Sequence, residues 1–154
     1  MPKVDLASLP RIARSGYPAP FNQAVAGRSW KDIAEAASLS QFGANLCTLE
    51  PGAWSSQRHW HSAEDELVVM LSGRLVLVEE GTETEMGPGD IATFRAGDAN
   101  GHHLQNRSDA PATFLAIGPN FPAIDVCTYP DIGMVLDRNG YRFLGGQPPG
   151  DQNS

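Results

Sequence analysis

The chain has 154 residues, 41% of them hydrophobic, and a net charge of -7. That is one domain's worth of chain, able to bury a core without disulfides or a structural metal, and no run approaches the roughly 18 apolar residues of a membrane helix. Five basic residues and one acid lie up to Lys31, six basic and seventeen acidic beyond it, and so acidic a body argues against nucleic acid as the main partner.

The N-terminus, "MPKVDLASLPRIARSGYPAP", carries Pro10 and Pro18 and lacks a long apolar core. It does not read as a secretory signal, so the cytoplasm is the expected compartment. Residues 1–28 read as irregular. A short helix is predicted next, with Ser29 as N-cap, Asp32 three residues later, and Trp30, Ile33, Ala34 and Ala37 at helical spacing. It should end near Ser40–Gly43. Residues 1–42 are therefore expected to form an arm and helix that pack on a barrel of residues 43–145.

From Gly43 the pattern changes to short strands between turns. "ANLCTL", "ELVVMLS", "RLVLVEE", "TETEM", "IATF", "HHLQNRS" and "ATFLAIG" follow one another, with Gly and Pro between them. "IDVCTY" and "IGMVL" are two further candidates near the C-terminus. So many short strands at this spacing predict an all-β sandwich or barrel. The tail "GGQPPGDQNS" reads as frayed over residues 146–154. Cys47 and Cys127 lie far apart and are expected as buried thiols on strands, not as a disulfide.

The stretch "RHWHSAEDE", Arg58 to Glu66, carries the chemistry. On a strand, residues two apart share a face, so His59 and His61 project together and Trp60 points away. Glu66 opens the apolar run "ELVVML" on the face of Val68 and Met70. A carboxylate placed there is costly unless it is paired or coordinates a cation. Two imidazoles and a carboxylate suit a divalent ion such as Fe, Mn, Ni, Zn or Cu. Glu64 is the substitute carboxylate if the register differs by two. His102 and His103 are adjacent, so only one of them can join. By alternation Arg58 should leave the His face and pack outward, while Val68, Met70 and Phe94 form pocket wall or core. Asn106 either satisfies its own loop or holds a ligand, and Arg95 is expected to face solvent.

With those residues in view, the chain resembles the cupins. Gly52, His59, Trp60, His61, Glu66 and Gly73 fit their first motif, with one extra residue before His59. Gly89, "RAG" at Arg95–Gly97, His102 and Asn106 fit the second, with Arg95 in place of the usual proline. The spacing to Asn106 favours His102 over His103. The resemblance spans roughly Gly43 to Gly118. It implies a double-stranded β-helix (jelly-roll) barrel, and one metal ion (Fe, Mn, Ni or Zn) held by His59, His61, Glu66 and His102. A small-molecule ligand or substrate and frequent dimers are implied as well. Because sheet edges need covering, a homodimer is expected, with the proline-rich arm a natural element to lie across a neighbour. The leading expectation is a metal-dependent enzyme of dioxygenase, isomerase, lyase or decarboxylase type. The alternative is a metal-dependent small-molecule sensor, with a storage role third, since all four ligand positions are filled. Fold-level analogy does not choose among them.

Overall fold

The computed structural model describes residues 3–145; the tail expected to fray over 146–154 lies outside them. The strands in chain order are β1 (Arg28–Asp32), β2 (Gly43–Leu49), β3 (Trp60–His61), β4 (Glu66–Ser72), β5 (Leu75–Glu79) and β6 (Thr82–Met86). There follow β7 (Ile91–Phe94), β8 (His103–Gln105), β9 (Ala112–Gly118), β10 (Cys127–Tyr129), β11 (Met134–Asp137) and β12 (Gly140–Phe143). All pairings are antiparallel. They make a five-stranded sheet in the order β1-β2-β9-β4-β7, a four-stranded sheet β12-β11-β10-β3 and a three-stranded sheet β6-β5-β8. Isolated bridges from Trp54 to Gln105 and from His59 to His102 tie the smaller sheets together. The result is the all-β barrel expected from the strand pattern, in the jelly-roll form that the cupin resemblance implied.

The predicted helix is shorter and later than its spacing suggested. It is a single turn, α1 (Ile33–Ala36), capped by Asp32, whose carboxylate accepts from the Glu35 amide at 2.9 Å. Ser29 is not its N-cap. Arg28–Asp32 pair in register with Asn45–Leu49 instead, which sets Trp30 opposite Cys47 and buries Ser29. A five-residue ladder along a packed sheet outweighs the propensity of so short a helix, which is marginal without tertiary support. The arm thus contributes a strand to the five-stranded sheet.

Two apolar clusters hold the molecule. Leu49, Val68, Met70, Leu75, Leu77, Phe114 and their neighbours fill the barrel, most of them from alternate strand positions. Tyr17, Val25, Cys127, Tyr129 and Met134 form the second beneath the N-terminal arm. Tyr17 packs edge-on against Tyr129 at 5.5 Å, and its hydroxyl accepts from the Gln57 amide. The Gln57 side chain in turn donates to the Phe21 carbonyl at 2.9 Å. The arm therefore lies on its own barrel, just behind the His-x-His strand. Both cysteines are free thiols on strands, Cys47 half-buried and Cys127 buried. Among the described residues no helix is long and apolar enough to cross a membrane.

Candidate metal centre

Four side chains from three separate stretches meet inside the barrel. β4 delivers Glu66 from its first residue, inward like Val68 and Met70. Alternation turns His61 and His59 inward together, with ring centroids 5.0 Å apart. The His59–His102 bridge brings the third ring to 4.8 Å from the first. All three Nε2 atoms face one carboxylate oxygen. Glu66 Oε2 is 2.6 Å from His102, 3.6 Å from His59 and 3.7 Å from His61.

The outer ring nitrogens decide the protonation pattern. His59 Nδ1 faces the Gln57 carbonyl at 2.9 Å, which can only accept. His61 Nδ1 faces the Asp125 carboxylate at 2.7 Å. Both Nδ1 atoms therefore carry a proton, and in the neutral rings both Nε2 lone pairs point at Glu66. Acceptors gathered on a carboxylate are matched only by a cation among them, either a proton on a ring or a divalent ion. Three imidazoles, those of His59 and His61 with their outer nitrogens already engaged, and a carboxylate are a donor set that suits such an ion. His59, Glu66 and His102 in particular offer atoms within 4.8 Å of one another.

The electrostatics agree with the geometry. Burial works against the charge of Glu66, but hydrogen bonds from His102 and His59 outweigh it and hold its carboxyl far below the usual range. Burial also opposes protonation of His59; the bond to Glu66 and its charge reverse this, and the net shift is upward. Burial leads in pushing His102 downward. Phe94 stacks flat on the His102 ring, 2° from parallel, and closes its apolar face.

The remaining sequence candidates separate cleanly. His103 faces away, its Nδ1 bonded to the Ser56 carbonyl and its ring against Trp54. Of the adjacent pair it is His102 that reaches Glu66. Glu64 lines the cleft, 3.8 Å from His61 Nδ1, and accepts from the Phe121 amide. Asn106 is fully buried and satisfies its loop, donating to the Leu49 and Ala110 carbonyls. Arg58 packs outward as alternation requires, donating to both oxygens of Asp131 and to Glu80. Arg95 is exposed, but at the rim of the cleft rather than in open solvent.

Three residues escaped the sequence reading. Asp125, Cys127 and Tyr129 line the site from β10 and the turn before it. β10 pairs with β3 so that Cys127 sits opposite His61, and Tyr129 lies 5.7 Å from the His59 ring. Residues paired across a sheet share a face, so Cys127 also points inward. The only signal was "IDVCTY" as a strand, and nothing in it named its partner.

The site opens into a cleft of about 710 Å³ lined by Phe42, His61, Glu64, Glu66 and Arg95 among others, and by Trp60, which alternation had turned away from the histidines. A smaller cavity of about 270 Å³ shares Glu66, Phe94 and His102 and continues among the inward side chains of β1, β2, β4 and β9. Arg28 Nε and Asn45 Oδ1, both from residues lining it, are buried without a partner among the described residues.

Comparison with known proteins adds a consistent picture. A family profile described as Cupin domain matches residues 45–118. A solved structure from Silicibacter pomeroyi, described as a sugar phosphate isomerase from a cupin superfamily, is 46% identical. The match covers 99% of this chain and 100% of that one, with a TM-score of 0.90. A putative sugar phosphate isomerase from Acidithiobacillus ferrooxidans is 32% identical over 77% of this chain and 72% of that one, with a TM-score of 0.67. The polyketide cyclase RemF from Streptomyces resistomycificus shares the fold, at 18% identity over 77% of this chain and 79% of that one, with a TM-score of 0.64.

Proposed function

The chain belongs to the cupin superfamily, and from that premise we propose that it is a metal-dependent isomerase of small hydroxylated carbonyl compounds of the sugar or sugar phosphate class. The observation that carries the reading is the convergence of three imidazole Nε2 atoms on Glu66 Oε2, at 2.6, 3.6 and 3.7 Å, at the floor of an open cleft. The description of the 46% identical relative supports the substrate class. His59, His61, Glu66 and His102 would hold the ion, which when bound supplies Lewis-acid polarisation of a carbonyl and its neighbouring hydroxyl.

The chain's own groups account for the other requirements. The cleft volume lies in the range that holds small organic molecules. Trp60, Phe42 and Phe94 give it apolar walls that exclude water around the reacting carbons. Buried Arg28 Nε and Asn45 Oδ1 offer one donor and one acceptor to a hydroxylated chain in the inner cavity. Glu64, which lines the cleft with Oε2 3.8 Å from His61 Nδ1, would take a proton from the carbon beside the carbonyl and return it to the adjacent one. General acid–base groups of this kind contribute about 10²–10⁴-fold. Arg95 at the rim is the cation for a phosphate. Glu64, Asp65, Glu79 and Asp98 share the same lining, an acidic surround that favours an unphosphorylated sugar as the second reading.

The test is incubation of metal-loaded protein with aldoses and their phosphates in deuterated water, followed by NMR. Isomer formation with deuterium at the adjacent carbon is expected, lost in His59→Ala and reduced about 10²–10⁴-fold in Glu64→Gln. Arg95→Ala should raise KM for phosphorylated substrates alone. If it affects both forms equally, the unphosphorylated reading stands. An unaltered molecule retained by the protein, with no turnover in any arm, would replace the enzyme by a binding protein.

A further inference from the structure

Beside its carboxylate neighbours the histidine pair has a further one, and it is a sulphur. His59, His61 and Cys127 each offer one ligand atom, and these atoms lie within 4.8 Å of one another. The register explains why. Cys127 is the direct partner of His61 across the β3–β10 ladder, and paired residues present their side chains on the same face. Cys127 is only 4% exposed, enclosed by Tyr17, Tyr129 and Met134. The Glu66 side chain, by contrast, is 31% exposed on the cleft side. The same two imidazoles therefore stand between an oxygen donor facing the cleft and a sulphur donor facing the core.

We infer that His59 and His61 belong to two overlapping donor sets, and that the one completed by Cys127 is a distinct site for a thiophilic ion such as zinc or copper(I). Donor softness separates the two. Carboxylate and imidazole suit Mn(II) and Fe(II), whereas thiolate selects zinc and copper(I). Coordination at sulphur forms the metal–thiolate bond and releases the thiol proton to solvent, so no oxidant or reductant is needed. Because both sets use the same two rings, one ion excludes the other. An ion held by Cys127 sits deeper, away from the cleft where substrate would enter. The choice of ion thus sets both the donor atoms and the distance of the charge from the cleft. This rests on the donor geometry alone and not on the reaction proposed above.

The experiment is metal-edge X-ray absorption on the purified protein in a Cys47→Ser background, loaded with zinc or with manganese. Zinc is expected to show one sulphur neighbour at about 2.3 Å. Manganese is expected to show only nitrogen and oxygen. Cys127→Ser should abolish the sulphur and weaken zinc binding at least about tenfold, the least that even an outer partner of a metal ligand commands. It should leave manganese affinity unchanged. Glu66→Gln should do the reverse, weakening manganese and retaining the zinc–sulphur contact. Zinc surrounded only by nitrogen and oxygen would overturn the inference, as would failure to take up zinc or a sulphur that survives Cys127→Ser. If Cys127→Ser does not fold, the zinc and manganese spectra of the Cys47→Ser protein still decide the question. A failure here leaves the isomerase reading intact, since turnover is measured separately.

Discussion

Asp125→Asn is the substitution that most directly probes how the centre is built. Asp125 Oδ2 accepts from His61 Nδ1 at 2.7 Å, while Oδ1 accepts from the Ala63 amide at 2.9 Å. Asparagine keeps the shape but has one oxygen. Whichever way it turns, its amino group meets either the Ala63 N–H or the His61 Nδ1–H, donor against donor. The histidine's escape is to move its proton to Nε2, which relieves Nδ1 and removes the lone pair aimed at Glu66. Either outcome costs the bond to the charged group, about 1.5–3 kcal/mol. Outer partners of metal-binding histidines command about 10- to 100-fold in affinity, which is about 1.4–2.8 kcal/mol, and the two ranges agree. Metal affinity of Asp125→Asn should therefore fall about 10- to 100-fold, read by competition with a chelator of known affinity. Nitrogen NMR of His61 reports the tautomer alongside. A folded variant that binds metal within about twofold of wild type would refute the reasoning.

Four other expectations follow from the fold. Leu49 is fully buried in the barrel core, and Leu49→Ala should cost about 2–5 kcal/mol in denaturant unfolding. Gly73 has φ +76°, and a Cβ there would lie 2.7 Å from Ala112 Cα and 2.8 Å from the Pro111 carbonyl, whereas Gly81 at φ +67° has nothing within 4 Å. Gly81→Ala should cost only the left-handed conformational penalty, about 1–2 kcal/mol, and Gly73→Ala about 1–3 kcal/mol more for the clash; equal losses would contradict the contact. Asp131 is held below the ordinary aspartate value of 3.8 by its hydrogen bonds from Arg58, with burial opposing. A depressed carboxyl stabilises the fold above its unfolded pKa and loses that contribution as pH falls through the folded one. Stability should therefore decline with acid below about pH 4, and Asp131→Asn should flatten that part of the profile. Leu71 and Ile91 are 49% and 62% exposed on the outer face near the β7 edge; the expected homodimer would cover them, so Leu71→Lys should halve the sedimenting mass. A wild-type protein that sediments as a monomer would end that expectation.

Strand alternation was enough to bring His59, His61 and Glu66 to one face. His59 and His61 are local to each other and Glu66 opens the next strand, while the match of His102 and Asn106 to the second cupin motif, not alternation, favoured the ring that does reach Glu66. Arg58 left the His face by alternation. Alternation is a property of the backbone and survives into the fold. What the sequence did not disclose depends on pairing between distant strands. Trp30, Ile33 and Ala37 have helical spacing, yet Arg28–Asp32 form a strand because β2 lies ready to receive them. Asp125, Cys127 and Tyr129 come to the centre only through the β3–β10 register. No local pattern in "IDVCTY" states which strand it will meet.

That register also has a bearing on synthesis. β3 is two residues long, and its ladder partner β10 arrives more than sixty residues later. At the usual 5–20 residues per second, the His pair waits roughly 3–13 s for Cys127 and Asp125 to leave the ribosome. Glu66 and His102 emerge within that interval. A nascent chain that captured an ion early would therefore offer it these imidazoles and the carboxylate before Cys127 is within reach. The order of translation would itself bias a first ion toward the cleft side, and the deeper donor would compete only after the C-terminal sheet had closed.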